Sequence, residues 1–335
     1  MLPAIPSDVH VAQLPLRVRF RGIDVREVLL LRGPAGWGEF APFTEYDDAE
    51  SAWWLAAALE SAWWGAPPAL RGAITVNATV PAVEADQVSR VLAQFPGCAT
   101  AKVKVAQQGQ TLADDLARLA AVRAHVPRVR VDANGGWSVE QAVEALTALR
   151  AQGPLEYAEQ PCTTVAELAQ VRLRLAAAGV EVAIAADESI RRAEDPLRVA
   201  RAGAADVAVL KVPPLGGMRR VLALAHTLRA EHAMPVVISS ALDSAVGMSA
   251  GLAAAAALST LDHACGLATG GLFVEDVTAA MRPVEGSLTV SVVEPDADRL
   301  QRLAAPRDRQ LWWRERLSRC HTLLSAGHPA WPPDA

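Results

Sequence analysis

The chain has 335 residues, an ordinary globular composition and a formal net charge of −5. Its scattered arginines form no basic stripe, so nucleic acids and anionic membranes are excluded as expected partners and small molecules are favoured. Four cysteines lie far apart without a CxxC pair, which argues against a zinc ribbon or a disulfide framework and fits a reducing cytoplasm. The length suits one barrel-sized domain with an accessory domain, or two medium domains.

Two stretches bear on targeting and membranes. The N-terminus shows no basic segment followed by an apolar run, so we expect no signal peptide. Residues 244–261 form an uncharged stretch of 18 residues, at the lower edge of the length that spans a membrane. Its Ala and Ser content and the missing flanking basic residues favour a buried helix instead. We therefore expect a cytoplasmic protein with no membrane partner.

Residues 1–72 are predicted to form a small α+β unit. The segments LRVRF, REVLLLRG and GWGEFAPF are typical of an antiparallel sheet, with a turn at Gly33 and Pro34. A helix is predicted to follow this sheet over residues 47–64, DDAESAWWLAAALESAWW.

From residue 73 onward, short β-branched runs alternate with segments of helical period, which predicts βαβ units. Polar residues end these runs at intervals of 24 to 28 residues, the length of one strand, one helix and two loops. We expect a closed (β/α) barrel over residues 73–282, with the polar residues meeting at its C-terminal mouth. An open doubly wound sheet is the alternative, but it would not gather six strand ends around one point. The eight runs are 73–80, 101–105, 128–134, 155–161, 182–189, 207–212, 236–241 and 261–267.

The C-terminal part of the chain contains two further segments. Residues 283–305 are predicted to return as a strand and a helix, and the strand could complete the N-terminal sheet. Residues 306–335 are predicted to form an amphipathic helix with a Pro-rich tail. The sequence leaves the oligomeric state open.

Lysine is rare in this chain. Among 32 Lys and Arg residues only three are Lys, and all three lie at predicted strand ends: Lys102, Lys104 and Lys211. Alternate residues of a strand share a face, so Lys102 and Lys104 both point into the barrel, about 6 to 7 Å apart along the strand. Burial and mutual repulsion lower the pKa of such ammonium groups, which allows a lysine to act as a base. Arg cannot deprotonate, so keeping Lys here favours a catalytic role over that of a surface cation.

Three carboxylates, Asp132, Glu159 and Asp187, end three consecutive runs and face one cavity. Each alone could be a helix N-cap, but three anions together would repel one another unless a cation joins them. Oxygen ligands suit Mg²⁺, or Mn²⁺, whereas zinc more usually recruits His or Cys. Two nearby side chains are expected to orient these ligands without binding the cation themselves: Asn134 and Gln160.

A divalent cation beside these lysines suits removal of a proton from the carbon next to a carboxylate group. Lys104, near the rim, is the expected base, and Lys102 is expected to stabilise the negative charge that develops. Lys211 faces the other side of the substrate. Arg130, one layer deeper, is expected to neutralise the carboxylates.

Five motifs in this order, KVK, DANGGW, EQP, ADES and VLKVPPLGG, resemble the enolase superfamily and specifically its muconate-lactonizing subgroup. The stretch GWGEFAP is similar to part of that family's capping domain. The resemblance spans about residues 15–305. It implies an α/β fold in which a modified (β/α)7β TIM-like barrel lies under an α+β capping domain, the latter formed by residues 1–72 with 283–305.

Two weaker motifs bear on the substrate. ISSALDSAVG on the seventh run and GLATGGLFVEDV after the eighth resemble subgroup members that dehydrate 2-succinyl-6-hydroxy-2,4-cyclohexadiene-1-carboxylate to 2-succinylbenzoate. The resemblance implies that Lys104 is the base and then the proton donor to the departing hydroxyl, and that Lys211 is a cation against the ring. The residues expected to receive the succinyl tail are Ser239, Ser240 and Gly266. GLATG also lacks the acidic pair with which dipeptide epimerases hold an ammonium group, which argues against a cationic substrate.

Three other functions remain open at this point. The first is another reaction of the same subgroup, either a cycloisomerisation or epimerisation or the racemisation of N-acylamino acids, including N-succinylamino acids. Racemisation would use two lysines as bases on opposite faces of the substrate. A Schiff-base aldolase would use a barrel lysine as nucleophile without a metal. A barrel that only binds a carboxylate metabolite would have the same charges and no turnover.

Overall fold

In the computed structural model, which describes residues 2–191 and 196–327, the N-terminal unit is an antiparallel sheet covered by one helix. The elements are β1 (Val9–Phe20), β2 (Ile23–Gly33), β3 (Gly36–Phe40) and α1 (Asp48–Trp64). Strand β2 lies in the centre of this sheet and pairs with both neighbours. The predicted sheet, its turn at Gly33 and Pro34, and the helix after it are thereby confirmed.

Helix α1 packs unusually close to β3. The helix begins after Asp47, whose carboxylate accepts a hydrogen bond from the Glu50 amide at 2.8 Å. A Cβ on Gly38 would lie 2.0 Å from the carbonyl oxygen of Ala58, so only glycine permits this approach of the two backbones. The GWGEF segment is therefore shaped by its contact with the helix as well as by the sheet.

The chain then forms a parallel sheet whose seven strands, β5 to β11, are neighbours in chain order. The strands are β4 (Ala73–Thr75), which precedes this sheet, and β5 (Ala78–Val80), β6 (Thr100–Lys104), β7 (Arg128–Asp132), β8 (Ala158–Glu159), β9 (Ile184–Ala186), β10 (Val207–Lys211) and β11 (Val236–Ser239). Cys265 and Gly266 link the two ends of this sheet. Cys265 forms a parallel bridge with Val76, two residues before β5, and Gly266 forms one with Ser239, the last residue of β11. The sheet therefore closes, and the predicted α/β barrel is confirmed.

Two predicted runs differ from the structure. Run 73–80 divides, because β4 leaves the barrel and only β5 enters the parallel sheet. Run 261–267 is not a continuous strand, and only Cys265 and Gly266 of it form bridges. The Asp262 side chain instead pairs with Arg229, and the His263 ring forms a hydrogen bond with Glu156. The eighth position of the barrel is thus held by two residues.

Helices connect the barrel strands and cover the outside. They are α2 (Val88–Leu92), α3 (Leu112–Arg123), α4 (Val139–Ala151), α5 (Val165–Ala177), α6 (Glu188–Arg191), α7 (Arg198–Arg201), α8 (Met218–His232) and α9 (Ala245–Ala257), with 3-10 turns at Ala85–Gln87 and Thr269–Leu272. Reciprocal capping boxes start α3, α4 and α5. The uncharged stretch 244–261 contains the buried helix α9, as predicted. No helix within the described ranges is long and apolar enough to cross a membrane.

The C-terminal return pairs differently from the prediction. Strand β12 (Ser287–Thr289) is antiparallel to β4 and forms a separate two-stranded sheet, so it does not complete the N-terminal sheet. It is Leu303 and Ala305 that reach β1, by backbone hydrogen bonds of 2.7 Å to Gln13 and 2.8 Å to Val11. Between and beyond these lie α10 (Ala297–Arg302) and α11 (Arg307–Ser325), and α11 packs on α1.

The last part of the predicted tail, residues 328–335, lies outside the described residues. The division of the chain into residues 1–72 with 283–305, 73–282 and 306–335 stays a prediction.

Glu39, at the end of β3, attaches the N-terminal unit to the barrel. Its buried carboxylate accepts hydrogen bonds from the amides of Ser244 at 3.1 Å and Gly247 at 3.2 Å, and from the Ser244 hydroxyl. These amides belong to the first turn of α9, where a negative charge is favourable. Burial, with the neighbouring Asp243 carboxylate, raises the pKa of Glu39 to about 8. The loop after β11 is therefore held by a side chain of the N-terminal unit.

The replacement Gly38→Ala tests the contact between β3 and α1. The new Cβ collides with the Ala58 carbonyl, so we expect the free energy of unfolding to fall by about 1–3 kcal/mol. Denaturant unfolding of both proteins measures it. Gly72→Ala is the matched control, because a Cβ there meets nothing within 4 Å and should change stability little. Equal effects of the two replacements would contradict the close approach.

Candidate active site

Two lysines of β6 reach the carboxylates of the adjacent strands. The ammonium nitrogen of Lys102 lies 2.7 Å from Glu159 Oε1 and 3.1 Å from Asp132 Oδ2. That of Lys104 lies 2.5 Å from Asp132 Oδ2 and 2.6 Å from Asn134 Oδ1. Both side chains line one cavity at the C-terminal mouth of the barrel, as the alternation of the strand predicts.

The two lysines titrate in opposite directions although they share a face. Burial lowers the pKa of each ammonium group. For Lys102 the nearby carboxylates of Asp132 and Glu159 outweigh burial, and its pKa lies well above the ordinary value. For Lys104 burial, together with repulsion from Lys102, outweighs Asp132, and its pKa is lowered. Lys104 is therefore the better base and Lys102 the more persistent cation.

The three predicted ligands lie at neighbouring strand ends and are almost completely buried. Asp132 ends β7, Glu159 ends β8 and Asp187 directly follows β9. The ammonium nitrogen of Lys211, at the end of β10, lies 2.6 Å from Asp187 Oδ2. Burial alone would raise the pKa of Asp187, but Lys211 and Arg191 lower it to about 2. The mouth therefore contains buried charges of both signs in contact.

Several features of Glu159 fit a divalent cation here. Its Oε2 atom is buried and has no hydrogen-bond partner within the described ranges. Burial and repulsion from Asp132 and Asp187 raise the pKa of Glu159 to about 7, so further positive charge would stabilise its ionised form. Each of the three carboxylates pairs with a lysine ammonium group, and with these pairs in place no three His, Cys, Asp or Glu side chains of residues 2–191 and 196–327 converge on one point. The donor set suits Mg²⁺ chemistry.

Asn134, two residues after Asp132, and Gln160, directly after Glu159, both have left-handed backbone conformations, with φ of 47° and 40°. The Asn134 side-chain oxygen accepts the hydrogen bond from Lys104. Gln160 Oε1 accepts hydrogen bonds from the amides of Asp187 at 3.0 Å and Ser189 at 3.2 Å. Asn134 thus orients the Lys104 ammonium group, and Gln160 orients the turn that carries Asp187.

Ser239, Ser240 and Gly266 line the same cavity as the lysines, which has a volume of about 30 Å³. The Ser240 hydroxyl lies 2.7 Å from that of Thr269. The amide of Gly266 already donates to the carbonyl of Ile238 at 2.9 Å, so it is not a free donor for a substrate. A Cβ on Gly266 would lie 2.4 Å from the Ser239 hydroxyl. Gly266 therefore contributes space rather than a hydrogen bond.

A larger cavity of about 410 Å³ adjoins this site on the side of the N-terminal unit. Phe20 and Arg21, in the turn between β1 and β2, line both cavities, and so do Lys104 and Asn134. The Lys104 ammonium lies 5.3 Å from the centre of the Phe20 ring. The cavity of about 30 Å³ and the larger cavity of about 410 Å³ therefore adjoin each other at Lys104.

Arg130 contacts a carboxylate outside the predicted ligand set. Its guanidinium pairs with Glu156 Oε2 at 2.7 Å and stacks on Tyr157, instead of neutralising the three ligands by contact. His263 also binds Glu156, at 2.8 Å. Arg130 lies two residues before Asp132 on the inward face, which places it one layer deeper, where Glu156 is nearer. This cluster supports the barrel interior below the site.

Sequence reasoning missed Arg191. Its guanidinium lies 3.1 Å from Asp187 Oδ1, 2.8 Å from Glu188 Oε1 and 2.7 Å from the hydroxyl of Tyr46. The spacing of four between Asp187 and Arg191 is a helical ion-pair signal that could have indicated the first contact. The contact with Tyr46 depends on how the N-terminal unit lies on the barrel and has no local signal.

Family comparisons cover most of the chain. The family described as "Enolase C-terminal domain-like" matches residues 84–296, and "Enolase N-terminal domain-like" matches residues 11–62. Among similar proteins, the o-succinylbenzoate synthase of Mycobacterium tuberculosis (strain ATCC 25618 / H37Rv) is 59% identical over 97% of this chain and 98% of its own. That of Mycolicibacterium smegmatis is 61% identical over 96% of this chain and 98% of its own.

Solved structures with low sequence identity share the fold. The muconate lactonizing enzyme from Pseudomonas putida superimposes with a TM-score of 0.71 at 20% identity, over 90% of this chain and 100% of its own. An enolase from Mycobacterium smegmatis in complex with tartrate gives a TM-score of 0.74 at 19% identity, over 92% and 91% of the two chains. These similarities establish the architecture alone.

The cluster around Glu156 predicts a pH-dependent contribution to stability. Burial would raise the pKa of Glu156, but hydrogen bonds from His263 and Arg130 lower it from 4.5 to about 2. A lowered carboxyl pKa stabilises the fold above the unfolded value, and this stabilisation is lost as the pH falls towards about 2. Glu156→Gln should therefore cost about 2 kcal/mol at pH 7, and less and less below pH 4.5.

Denaturant unfolding of the Glu156→Gln protein at several pH values measures this difference. Glu144→Gln, at an exposed position of α4, is the control and should change little at any pH. A cost that stays constant with pH would contradict the assignment.

Proposed function

The chain belongs to the enolase superfamily, and we propose that within it the protein is an o-succinylbenzoate synthase, a lyase of menaquinone biosynthesis. The reaction is removal of water from 2-succinyl-6-hydroxy-2,4-cyclohexadiene-1-carboxylate to form 2-succinylbenzoate. The observation that carries this proposal is the placement of the two lysines of β6: both ammonium nitrogens contact Asp132 Oδ2, at 3.1 Å and 2.5 Å, while Lys102 also contacts Glu159 and Lys104 contacts the neutral Asn134 amide. It supplies a base and a permanent cation within one strand. High identity to o-succinylbenzoate synthases over nearly the whole chain supports the choice of substrate.

We propose that Asp132, Glu159 and Asp187 hold Mg²⁺, with Mn²⁺ as the alternative. When bound, the cation supplies positive charge against the substrate carboxylate. The unpartnered Glu159 Oε2 and the mutual repulsion of the three carboxylates support this set.

Lys104 performs both proton transfers. As the free amine it takes the proton from the carbon next to the carboxylate, and the electron pair of that C–H bond moves onto the carboxylate oxygens. Lys102 stays protonated and stabilises the charge there. The electrons then return to form the new ring double bond as the C–O bond breaks, and the Lys104 ammonium gives its proton to the hydroxyl, which leaves as water. Both ends of the dehydration thus use one nitrogen.

The other side of the cavity binds the rest of the substrate. Lys211 faces the ring as a cation, supported by its contact with Asp187. The succinyl tail lies against Ser239 and Ser240, whose hydroxyls line the cavity, and Gly266 provides the room.

N-succinylamino acid racemisation is the second candidate. It is favoured by the position of Lys211, four strands from β6 in the same cavity, since a base on each face of the substrate is what racemisation requires. Both reactions begin with removal of the proton next to the carboxylate. In the dehydration the proton is then given to the departing hydroxyl, whereas in racemisation a proton is given back to the same carbon from the opposite face.

The remaining assignments are proposals of the same kind. We propose that residues 1–72 with 283–305 form a capping domain over the barrel of residues 73–282, and that residues 306–335 are a C-terminal tail. The partner is a small carboxylate, without nucleic acid or membrane. A cytoplasmic location is supported by the four free, buried cysteines.

Supplying the cyclohexadiene carboxylate with Mg²⁺ tests the proposed reaction directly. We expect aromatic product, seen as a change in ultraviolet absorbance, loss of the reaction on chelation, and recovery when Mg²⁺ returns. A Schiff-base aldolase would instead survive chelation and be trapped by borohydride with its substrate. The absence of aromatic product together with racemisation of N-succinyl amino acids would establish the second candidate instead.

Replacing Lys104 tests its double role. Lys104→Ala should lower kcat roughly 10²- to 10⁴-fold, because general acid–base catalysis is lost. Lys104→Arg should be similarly impaired, since Arg keeps the charge but cannot release a proton. Circular dichroism and thermal unfolding check that the fold is intact. Unchanged turnover by a folded Lys104→Ala protein would rule out this base.

A further inference from the structure

Arg191 is a buried arginine whose three nitrogens each contact a different side chain. Only 2% of its side chain is exposed. Nε donates to Asp187 Oδ1 at 3.1 Å, Nη2 to Glu188 Oε1 at 2.8 Å, and Nη1 to the Tyr46 hydroxyl at 2.7 Å. The first two acceptors belong to the barrel and the third to the N-terminal unit. The guanidinium therefore bridges the two parts of the structure beside a proposed metal ligand.

The contacts continue from Arg191 to the base. Glu188 Oε1, which accepts from Arg191, also accepts from Asn134 Nδ2 at 3.2 Å. The other end of the Asn134 amide accepts from Lys104 at 2.6 Å. One guanidinium is thus in direct contact with the third carboxylate, and through two side chains it is linked to the nitrogen that transfers the proton.

The shape of the guanidinium matters as much as its charge. Its planar fork can hold three acceptors in fixed directions, whereas a lysine ammonium at this position is a single flexible point charge. Partners behind a metal ligand set its orientation, and their loss typically weakens metal binding or activity about 10–100-fold.

We propose that Arg191 is a positioning residue, which orients Asp187 for the cation and, through Glu188 and Asn134, orients Lys104 for proton transfer. Tyr46 fixes the guanidinium from the N-terminal unit. The position of the N-terminal unit on the barrel is thereby coupled to the orientation of Asp187 and of Lys104. This inference rests on the proposed function, because it takes Asp187 as a metal ligand.

The test compares Arg191→Lys, Arg191→Met and Tyr46→Phe with the unaltered full-length protein. Mg²⁺ binding is measured by calorimetry without substrate, thermal unfolding is measured in chelator, and kcat is measured at saturating Mg²⁺. The control is Arg71→Lys, which replaces a partly buried arginine that holds the carbonyl groups of Ala255 and Leu258, away from the site.

We expect both Arg191 variants to weaken Mg²⁺ binding about 10–100-fold and to lower kcat even when Mg²⁺ is saturating. Tyr46→Phe should act in the same direction and more weakly, and Arg71→Lys should leave Mg²⁺ binding unchanged. Full retention of Mg²⁺ affinity and kcat by Arg191→Lys would overturn the proposal, since charge alone would then suffice. Equal weakening by Arg71→Lys would also overturn it, because the effect would then reflect general destabilisation.

Three further outcomes are also informative. If Arg191→Met does not fold, Arg191→Lys and Tyr46→Phe carry the same comparison. If the unaltered protein forms no aromatic product and Mg²⁺ binding still weakens in Arg191→Lys, the proposed reaction fails while the positioning role stands. If the unaltered protein binds no Mg²⁺, both fail.

Discussion

Mutual neutralisation of buried charges at the barrel mouth is the constraint on which the rest of the structure depends. Three carboxylates lie buried there with the ammonium groups of Lys102 and Lys211, and that of Lys104 lies partly exposed at the rim. Removing one charge of such a set from water costs several kcal/mol unless its partners are in place. The strand register helps to supply those partners, because Lys104 lies opposite Asp132 across β6 and β7, and Glu159, opposite Asp132 across β7 and β8, comes within reach of Lys102. The strand pairing that builds the barrel therefore also brings the charged side chains of the site together.

The same arrangement separates two lysines that differ by only two positions. Lys102 lies between two carboxylates, whereas Lys104 lies nearer the rim, with one carboxylate and the neutral amide of Asn134. A small difference in surroundings thus raises the pKa of Lys102 and lowers that of Lys104. Glu39 and Arg191 attach the N-terminal unit at two points, and both points adjoin loops that carry site residues.

Periodicity and spacing predicted the features that repeat along the chain. The two-residue alternation placed Lys102 and Lys104 in one cavity, and the near-constant interval brought Asp132, Glu159 and Asp187 to adjacent strand ends. Such features depend on local geometry, which the order of residues expresses directly.

The contacts that were not predicted join segments that pack together only in the folded chain. Strand β12 pairs with β4 instead of the N-terminal sheet, Arg130 contacts Glu156, and the amide of Gly266 donates to Ile238. Tyr46 reaches Arg191 across 145 positions. None of these partners follows from a local pattern, because each depends on how already formed units pack.

The confinement of lysine to the barrel mouth has a consequence for the chemistry of the whole surface. All three lysines, Lys102, Lys104 and Lys211, line one cavity, and 29 arginines provide the other basic side chains. Reagents selective for primary amines, such as acylating labels and amine-directed cross-linkers, therefore find no surface lysine to consume them. Apart from the α-amino group, the primary amines that such a reagent can modify are those of these three lysines. The extent of lysine labelling therefore reports directly on access to that cavity.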